Sequence, residues 1–426
     1  MKNCVSLSDF IHPEQLESAC ICATHIEEEK LSALLRANSR DIPIYIAREL
    51  EYDSQINEAR NELQRYCGSS DDPHPATVST EELADFLHVW HQKKYGEHWR
   101  TYYSRNGTQF SNILLLVYPP FLRIVITSSL HIDTDQADNH WYIHDLPRLK
   151  SPGPHNFESR LLCHVKRLGI PEKFIATIRR KYDYSKVKVH LLASTTLDPY
   201  DGGLDRLSVL VRQMRLNLNK KSARGEFQLE VCAYRIENFL PEWLSSFYRC
   251  ALGNSKLDRF LDTPDVSKIR LFYPTHDYAV DSPQNGSFAG TNMYCPPANS
   301  FKGSILHRYE SKDRYELSTQ NLILAYNPKD SQRAPYYAYI GSADFTISAW
   351  GEPVRSAPGR VFSRTQATYG VFIPGDLIKE LLKEGTRSWE DGIVPYNRTA
   401  GLYDSDDNTW RNLSDSEAES GGSNSS

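Results

Sequence analysis

Two stretches of the chain share one pattern: residues 114–130, LLLVYPPFLRIVITSSL, and residues 322–345, LILAYNPKDSQRAPYYAYIGSADF. Each begins with an apolar run of strand length, continues through a turn that contains proline, and ends in a second apolar run. This order is typical of a β-hairpin. A hairpin used twice, roughly 210 residues apart, predicts a chain built from two similar halves.

The residues around the first hairpin resemble a motif of the tyrosyl-DNA phosphodiesterase family, which belongs to the phospholipase D superfamily. Residues 107–118 read GTQFSNILLLVY, where the family reads much like GTHHTKMMLLLY. In this alignment Phe110 occupies the position of the family's nucleophilic histidine. Asn112 occupies the position of its lysine, and Ser129 that of its asparagine. The frame of the motif is therefore present without its reactive side chains.

The second hairpin leads into a similar resemblance. Residues 342–351, SADFTISAWG, resemble the family's SANLSKAAWG and place Asp344 at the asparagine. Counting back over the hairpin puts Asn321 at the second histidine and Ile323 at the second lysine, and Thr368 falls where the family has a glutamate. Every aligned catalytic position thus differs from the family pattern.

The resemblance implies a reaction that these substitutions would prevent. In the family, one histidine attacks phosphorus and a second protonates the leaving group, while lysines and asparagines hold the phosphoryl oxygens. The phenyl ring of Phe110 has no lone pair with which to attack phosphorus. Ile323 removes a cation, and Asp344 adds a negative charge beside an anionic transition state. We therefore expect no intact catalytic site.

The resemblance covers roughly residues 15–403 and implies an α/β fold. The expected architecture is a duplicated α-β-α sandwich of the phospholipase D type, with two halves related by a pseudo-twofold axis and a groove between them. The predicted organisation is a flexible N-terminus over residues 1–14, a first half over 15–188, a second half over 189–403, and a disordered, acidic, serine-rich tail over 404–426.

Displaced histidines are the main alternative to an inactive site. His91 and His164 each begin a His-x-Lys pair, but both lie in runs with helical spacing, which favours surface or packing roles. His131 and His140 follow the first hairpin and could approach the groove. Further groove candidates surround the second motif: Ser342, Thr346 and Trp350.

The charge distribution gives little support for strong nucleic-acid binding. From residue 403 onward, six acidic residues against one arginine leave −5, which is the whole net charge of the chain. The rest is therefore about neutral, whereas nucleic-acid binding depends on neutralising phosphates. A local basic strip at Arg179, Arg180 and Lys181 could contact DNA, although solvated helix faces are the favoured interpretation. The histidine- and aspartate-rich stretch 131–145 matches no closed zinc motif, so we predict no metal and no cofactor.

The remaining composition predicts a protein of a reducing compartment, nuclear or cytoplasmic, that is neither secreted nor held in a membrane. Eight scattered cysteines form no disulfide framework, and no apolar run is long enough to span a bilayer. The favoured function is an inactive relative of tyrosyl-DNA phosphodiesterases that binds or scaffolds DNA, a protein or a peptide in its groove. The alternatives are a phosphodiesterase that removes 3′-phosphotyrosyl adducts in DNA repair and a non-catalytic binder of single-stranded nucleic acid.

Overall fold

The computed structural model describes residues 7–24, 26–35, 41–67, 79–104, 108–128, 139–194, 202–214, 227–253, 266–283, 293–301, 305–312, 316–330, 333–356, 359–363, 365–381 and 388–411. The chain divides into two compact units. The first comprises Met1–Ile126, Leu130–Asp135 and Tyr142–Val187. The second comprises Thr127–Ser129, Gln136–Trp141 and Lys188–Ser426.

The first unit contains a mixed sheet of six strands. The strands in this part of the chain are β1 (Ser18–Cys22), β2 (Ile44–Arg48), β3 (Trp99–Tyr103), β4 (Thr108–Phe110), β5 (Ile113–Val117), β6 (Phe121–Thr127) and β7 (Trp141–Pro147). All of them except the short strand β4 belong to the six-stranded sheet. The sheet order is β3-β2-β1-β5-β6-β7, with β1, β2 and β3 parallel and β5 antiparallel to both β1 and β6. All five residues of β5 are buried, which explains why this strand reads as an unbroken apolar run.

The described part of the first unit contains six α-helices. They are α1 (Leu7–Phe10), α2 (Glu28–Leu35), α3 (Ile56–Cys67), α4 (Thr80–Tyr95), α5 (Asn156–Arg167) and α6 (Glu172–Ile178). In α4 the Ser79 side chain accepts the Glu82 backbone N–H, and the Glu82 carboxylate accepts the Ser79 N–H. This reciprocal pair satisfies two amide groups at the first turn.

The second unit repeats the order of strands. It contains β8 (His190–Ser194), β9 (Gln228–Ala233), β10 (Ile269–Tyr273), β11 (Leu306–Arg308), β12 (Asn321–Tyr326), β13 (Tyr337–Gly341), β14 (Glu352–Ser356), β15 (Gly359–Ser363) and β16 (Gln366–Pro374). Along β11-β10-β9-β12-β13-β16, three parallel strands are followed by an antiparallel hairpin, as in the first sheet. Strand β8 pairs with β16. The predicted α/β fold with two mixed sheets and a duplicated hairpin is confirmed.

The helices of the second unit pack on an aromatic-rich core. They are α7 (Gly203–Gln213), α8 (Pro241–Ala251), α9 (His276–Asp281), α10 (Ile347–Trp350), α11 (Gly375–Leu381) and α12 (Trp389–Ile393). Short 3-10 helices occur at Pro13–Gln15, Leu50–Tyr52, Val266–Lys268 and Ala298–Ser300. The core includes Trp243, Phe247, Phe345 and Trp350, whose rings pack edge to face.

The described residues at both ends of the chain make defined contacts. Helix α1 and the buried residues Leu7 and Ile11 lie within the predicted flexible N-terminus, residues 1–14. Asp404 and Asp407, at the start of the predicted acidic tail, both form ion pairs with Arg308. The predicted boundaries and the flexibility of the two ends stay predictions. The tail beyond residue 411 lies outside the described residues.

Candidate functional site

The first motif lies in the first unit at β4 and β5. Phe110 ends β4, and Asn112, two residues further on, is buried. Between them, Ser111 is buried and its hydroxyl lies 3.1 Å from Nε2 of His164 in α5. Burial and the nearby charge of Arg167 lower the pKa of His164 to about 3, so this imidazole is neutral. Ser129 and His131 lie outside the described residues.

The two displaced His-x-Lys pairs combine a buried histidine with an exposed lysine. His164 is buried on α5, and His91 is buried on α4, where its Nε2 lies 2.9 Å from Asp53 Oδ2. Neither imidazole reaches solvent, so neither offers a surface nucleophile. Lys93 and Lys166 are exposed, so the pairs have the packing and surface roles that their helical spacing predicts.

The second motif brings four side chains to one end of the second sheet. Asn321 begins β12, Thr368 lies near the start of β16, Ser194 ends β8 and Asp344 follows β13. Because β12 and β16 are both antiparallel to β13, and β8 is antiparallel to β16, these positions share an end. We call Ser194, Asn321, Asp344 and Thr368 the polar end of the second sheet.

Three of these side chains also share a face. Residues that pair across strands point to the same side, and this side recurs at every second position. Ile323 pairs with Tyr339, and Thr368 pairs with Ser194. The alternation therefore puts Asn321, Thr368 and Ser194 on the face of Tyr339.

The polar end is buried without full hydrogen bonding. Asn321, Ile323, Asp344 and Thr368 are each at most 3% exposed. Within the described part of the chain, both polar atoms of the Asn321 amide and the hydroxyls of Thr368 and Ser194 have no hydrogen-bond partner. A buried polar atom without a partner costs about 1–3 kcal/mol, so this end of the sheet is locally destabilised.

Tyr339 lies on the same face of the sheet as Asn321 and Thr368. Gly341 and Gly370 pair across β13 and β16. A Cβ at Gly370 would collide with the Tyr339 ring, and one at Gly341 would collide with Gly370 Cα and the Tyr339 hydroxyl. The hydroxyl of Tyr339 accepts the Ala343 backbone N–H at 3.0 Å, and its ring packs against Trp350 at 5.1 Å. The two glycines thus make room for an aromatic ring beside the motif.

Asp344 carries the distinctive electrostatic feature of the site. Burial raises the pKa of its carboxyl to about 6, and the hydrogen bond from the Thr346 hydroxyl (2.7 Å) and the charge of Arg235 oppose this rise only in part. An asparagine at the same position would be uncharged at any pH. That Asp344 stands at the family's phosphoryl-binding asparagine stays a prediction.

The predicted groove residues have structural partners. The Ser342 hydroxyl accepts the Tyr369 N–H at 2.9 Å, Thr346 caps helix α10, and the Trp350 indole donates to the Asp344 backbone carbonyl at 2.8 Å. His140 Nε2 lies 2.8 Å from the Ile393 carbonyl oxygen. A ligand role for these four residues stays a prediction.

The basic strip is a set of surface side chains. Arg179 forms an ion pair with Glu172 at 2.6 Å, so its charge is already balanced. Arg180 is exposed and has a positive φ of 52°, and the Lys181 carbonyl accepts the Leu149 N–H. These contacts fit the solvated-surface interpretation, and DNA binding at the strip stays a prediction.

A buried charged cluster in the first unit was not anticipated from the sequence. Burial alone would raise the pKa of Asp53, but hydrogen bonds from His91 and Tyr103 and the charge of Arg48 lower it to about 2. Arg48 also pairs with buried Glu28. The candidate ligand atoms of Glu28, Asp53 and His91 lie within 4.8 Å of one another, as in a metal site. Arg48 already supplies the cation there, so these residues do not fit a metal ion.

A second buried charge lies in β9 of the second unit. Glu230 is fully buried and accepts hydrogen bonds from Arg398 (2.8 Å) and Tyr396 (3.0 Å), with Arg270 at 3.3 Å. The sequence signal is a glutamate within the otherwise apolar residues 229–233, LEVCA. The partners lie up to 168 residues away, beyond the reach of any local pattern.

A comparison with family-wide sequence profiles identifies the group to which these motifs belong. The profile described as tyrosyl-DNA phosphodiesterase matches residues 1–396. The chain belongs to the tyrosyl-DNA phosphodiesterase family. A search of curated proteins finds no match. Among the described helices, none is long and apolar enough to cross a membrane.

Solved structures agree with this family assignment. The yeast tyrosyl-DNA phosphodiesterase superposes with a TM-score of 0.64 at 12% identity, covering 96% of each chain. A variant of the yeast enzyme with one histidine replaced by alanine gives a TM-score of 0.61 at 13% identity, covering 96% of this chain and 95% of the other. At such low identity the likeness establishes the fold, which is the two-sheet fold of the phospholipase D type.

Proposed function

We propose that this member of the tyrosyl-DNA phosphodiesterase family has lost phosphodiesterase activity and acts as a binding module. The observation that carries the proposal is the identity of the residues at the second motif. Asn321, Ile323, Asp344 and Thr368 include no imidazole and no ammonium group, and all four are buried. Asn112 in the first motif is buried as well.

The reaction of the family requires specific reactive side chains as well as the fold. A nucleophile must attack phosphorus, and an acid must protonate the leaving oxygen. An amide at Asn321 can do neither, and the alkyl chain of Ile323 cannot balance phosphoryl charge. When several members of a catalytic unit are missing, the loss in rate amounts to several orders of magnitude.

Turnover of a single-stranded oligonucleotide with a 3′-phosphotyrosyl end tests the proposal. We expect no release of tyrosine and no trapped covalent adduct, with an active tyrosyl-DNA phosphodiesterase as the positive control. Turnover that disappears on replacing one histidine, for example His140→Ala, would show that a shifted imidazole performs the reaction. That result would contradict the proposal, whereas slow turnover unaffected by every histidine variant would indicate a contaminant.

We further propose that the binding role is exercised in the nucleus, with DNA or a protein as the partner. Family membership supports DNA, whereas the apolar residue at Ile323 and the paired Arg179 favour a protein or peptide. Affinity purification from native extract, with and without nuclease treatment, distinguishes the two. Imaging of the tagged full chain tests the nuclear location, and a cytoplasmic signal alone would refute it.

A further inference from the structure

Asp344 is a buried acid whose carboxyl accepts a hydrogen bond from the Thr346 hydroxyl. Among the residues that the structure describes, that hydroxyl is its one side-chain donor, and no lysine, arginine or histidine forms an ion pair with it. A buried carboxylate is normally paired or protonated, because its desolvation is costly. Such an unpaired charge is typical of a site that a ligand completes.

Two charged groups near Asp344 act on it in opposite directions. Residues 235–237 run beside 345–347, where the Phe345 N–H donates to the Arg235 carbonyl and the Ile347 N–H donates to the Glu237 carboxylate. The charge of Arg235 favours the ionised form of Asp344, and the charge of Glu237 disfavours it.

Hydrogen-bond acceptors are also available at the polar end of the second sheet. The Asn321 carbonyl oxygen and the hydroxyls of Thr368 and Ser194 have no partner among the residues that the structure describes. An ammonium offers three donors and a guanidinium five, and neither accepts a hydrogen bond. The Asn321 amide nitrogen and the hydroxyls can also donate, so the preference for a cation over a phosphate dianion comes from the negative charge of Asp344 at the same end of the sheet.

We propose that the polar end of the second sheet binds a cationic group, an ammonium or a guanidinium, with Asp344 as its counter-ion. This inference rests on the proposed loss of catalysis, because an active site would have to hold the phosphoryl group there. Next to capping Thr346, the residues Ile347 and Ser348 are half-buried, so Asp344 lies within four residues of the protein surface. The charge preference of the family's pocket is then reversed.

Isothermal titration calorimetry of the full chain with agmatine and with inorganic phosphate tests this site. Agmatine should bind, and its affinity should rise about tenfold from pH 5 to pH 7, as a carboxyl with a pKa near 6 ionises. Asp344→Asn should weaken agmatine binding at least tenfold at pH 7.5. The matched control Asp330→Asn, in the exposed turn between β12 and β13, should bind as the unmodified chain does.

Three outcomes would overturn the cation site. These are phosphate binding without agmatine binding, agmatine binding that Asp344→Asn leaves unchanged, and no binding of agmatine at millimolar concentration. Circular dichroism of Asp344→Asn establishes that a loss of binding is not a loss of folding. The oligonucleotide assay remains separate, since absence of both turnover and agmatine binding would refute the cation site while leaving the loss of catalysis standing.

Discussion

Replacing Asp344 by asparagine should make this protein more stable at neutral pH. The folded-state pKa of Asp344 is about 6, compared with 3.8 for an unperturbed aspartate. Each pKa unit corresponds to about 1.4 kcal/mol, so ionisation of the buried carboxyl costs roughly 3 kcal/mol at pH 7.5. In Asp344→Asn, the amide oxygen would still accept the Thr346 hydroxyl, and the side chain would carry no charge to bury.

The pH dependence follows from the sign of this shift. Because the folded-state pKa is raised, the folded chain holds the proton more tightly than the unfolded chain between about pH 4 and pH 6. Stability contributed by the protonated acid is present below this window and is lost as pH rises through it. The advantage of Asp344→Asn should therefore be absent near pH 4, grow to about pH 6 and stay constant above.

Urea unfolding followed by tryptophan fluorescence measures this difference, since Trp243 and Trp350 are buried in the same core. Asp330→Asn is the control, because its carboxylate is exposed and its replacement should change the free energy of unfolding by less than about 0.5 kcal/mol. A destabilised Asp344→Asn at pH 7.5, or a difference that does not vary between pH 4 and pH 7, would refute the reasoning.

Three further substitutions probe the other buried polar groups. Asp53→Asn should lower the free energy of unfolding by about 2 kcal/mol at pH 7. This loss should shrink as pH falls from about 4 to 2, because the pKa of Asp53 is lowered to about 2. Equal urea midpoints for the two proteins at pH 7 would contradict this. Asn321→Leu should raise the free energy of unfolding by about 1–3 kcal/mol, because it removes polar atoms that have no partner among the described residues. A lower thermal midpoint of this variant would show that the amide has a partner. Glu230→Gln should lower the free energy of unfolding by about 3–5 kcal/mol, because Arg398 loses its buried counter-charge. A decrease below about 1 kcal/mol in urea unfolding would be inconsistent with that ion pair.

Long-range pairing explains where sequence-based prediction of secondary structure failed. From its local sequence the stretch 301–309 reads as helical, but residues 306–308 form β11, in which Leu306 pairs with Leu271 of β10. A short apolar segment fits either structure, and the neighbouring strand decides which one forms. Both hairpins were predicted correctly because their strands are close in sequence and their turns contain proline.

The sequence by itself determined the duplicated hairpin, the α/β class and the absence of histidine and lysine at the aligned motif positions. The hairpin depends on local periodicity and the missing side chains on residue identity, whereas the α/β class was inferred from the resemblance to the family. Only the tertiary structure decided that Asn321, Thr368 and Ser194 share a face, and that Asp344 is buried with no ion pair to a described residue. The physical reason is that burial and ion pairing are set by residues far away in the chain, so the charge preference of the site is a property of the folded protein.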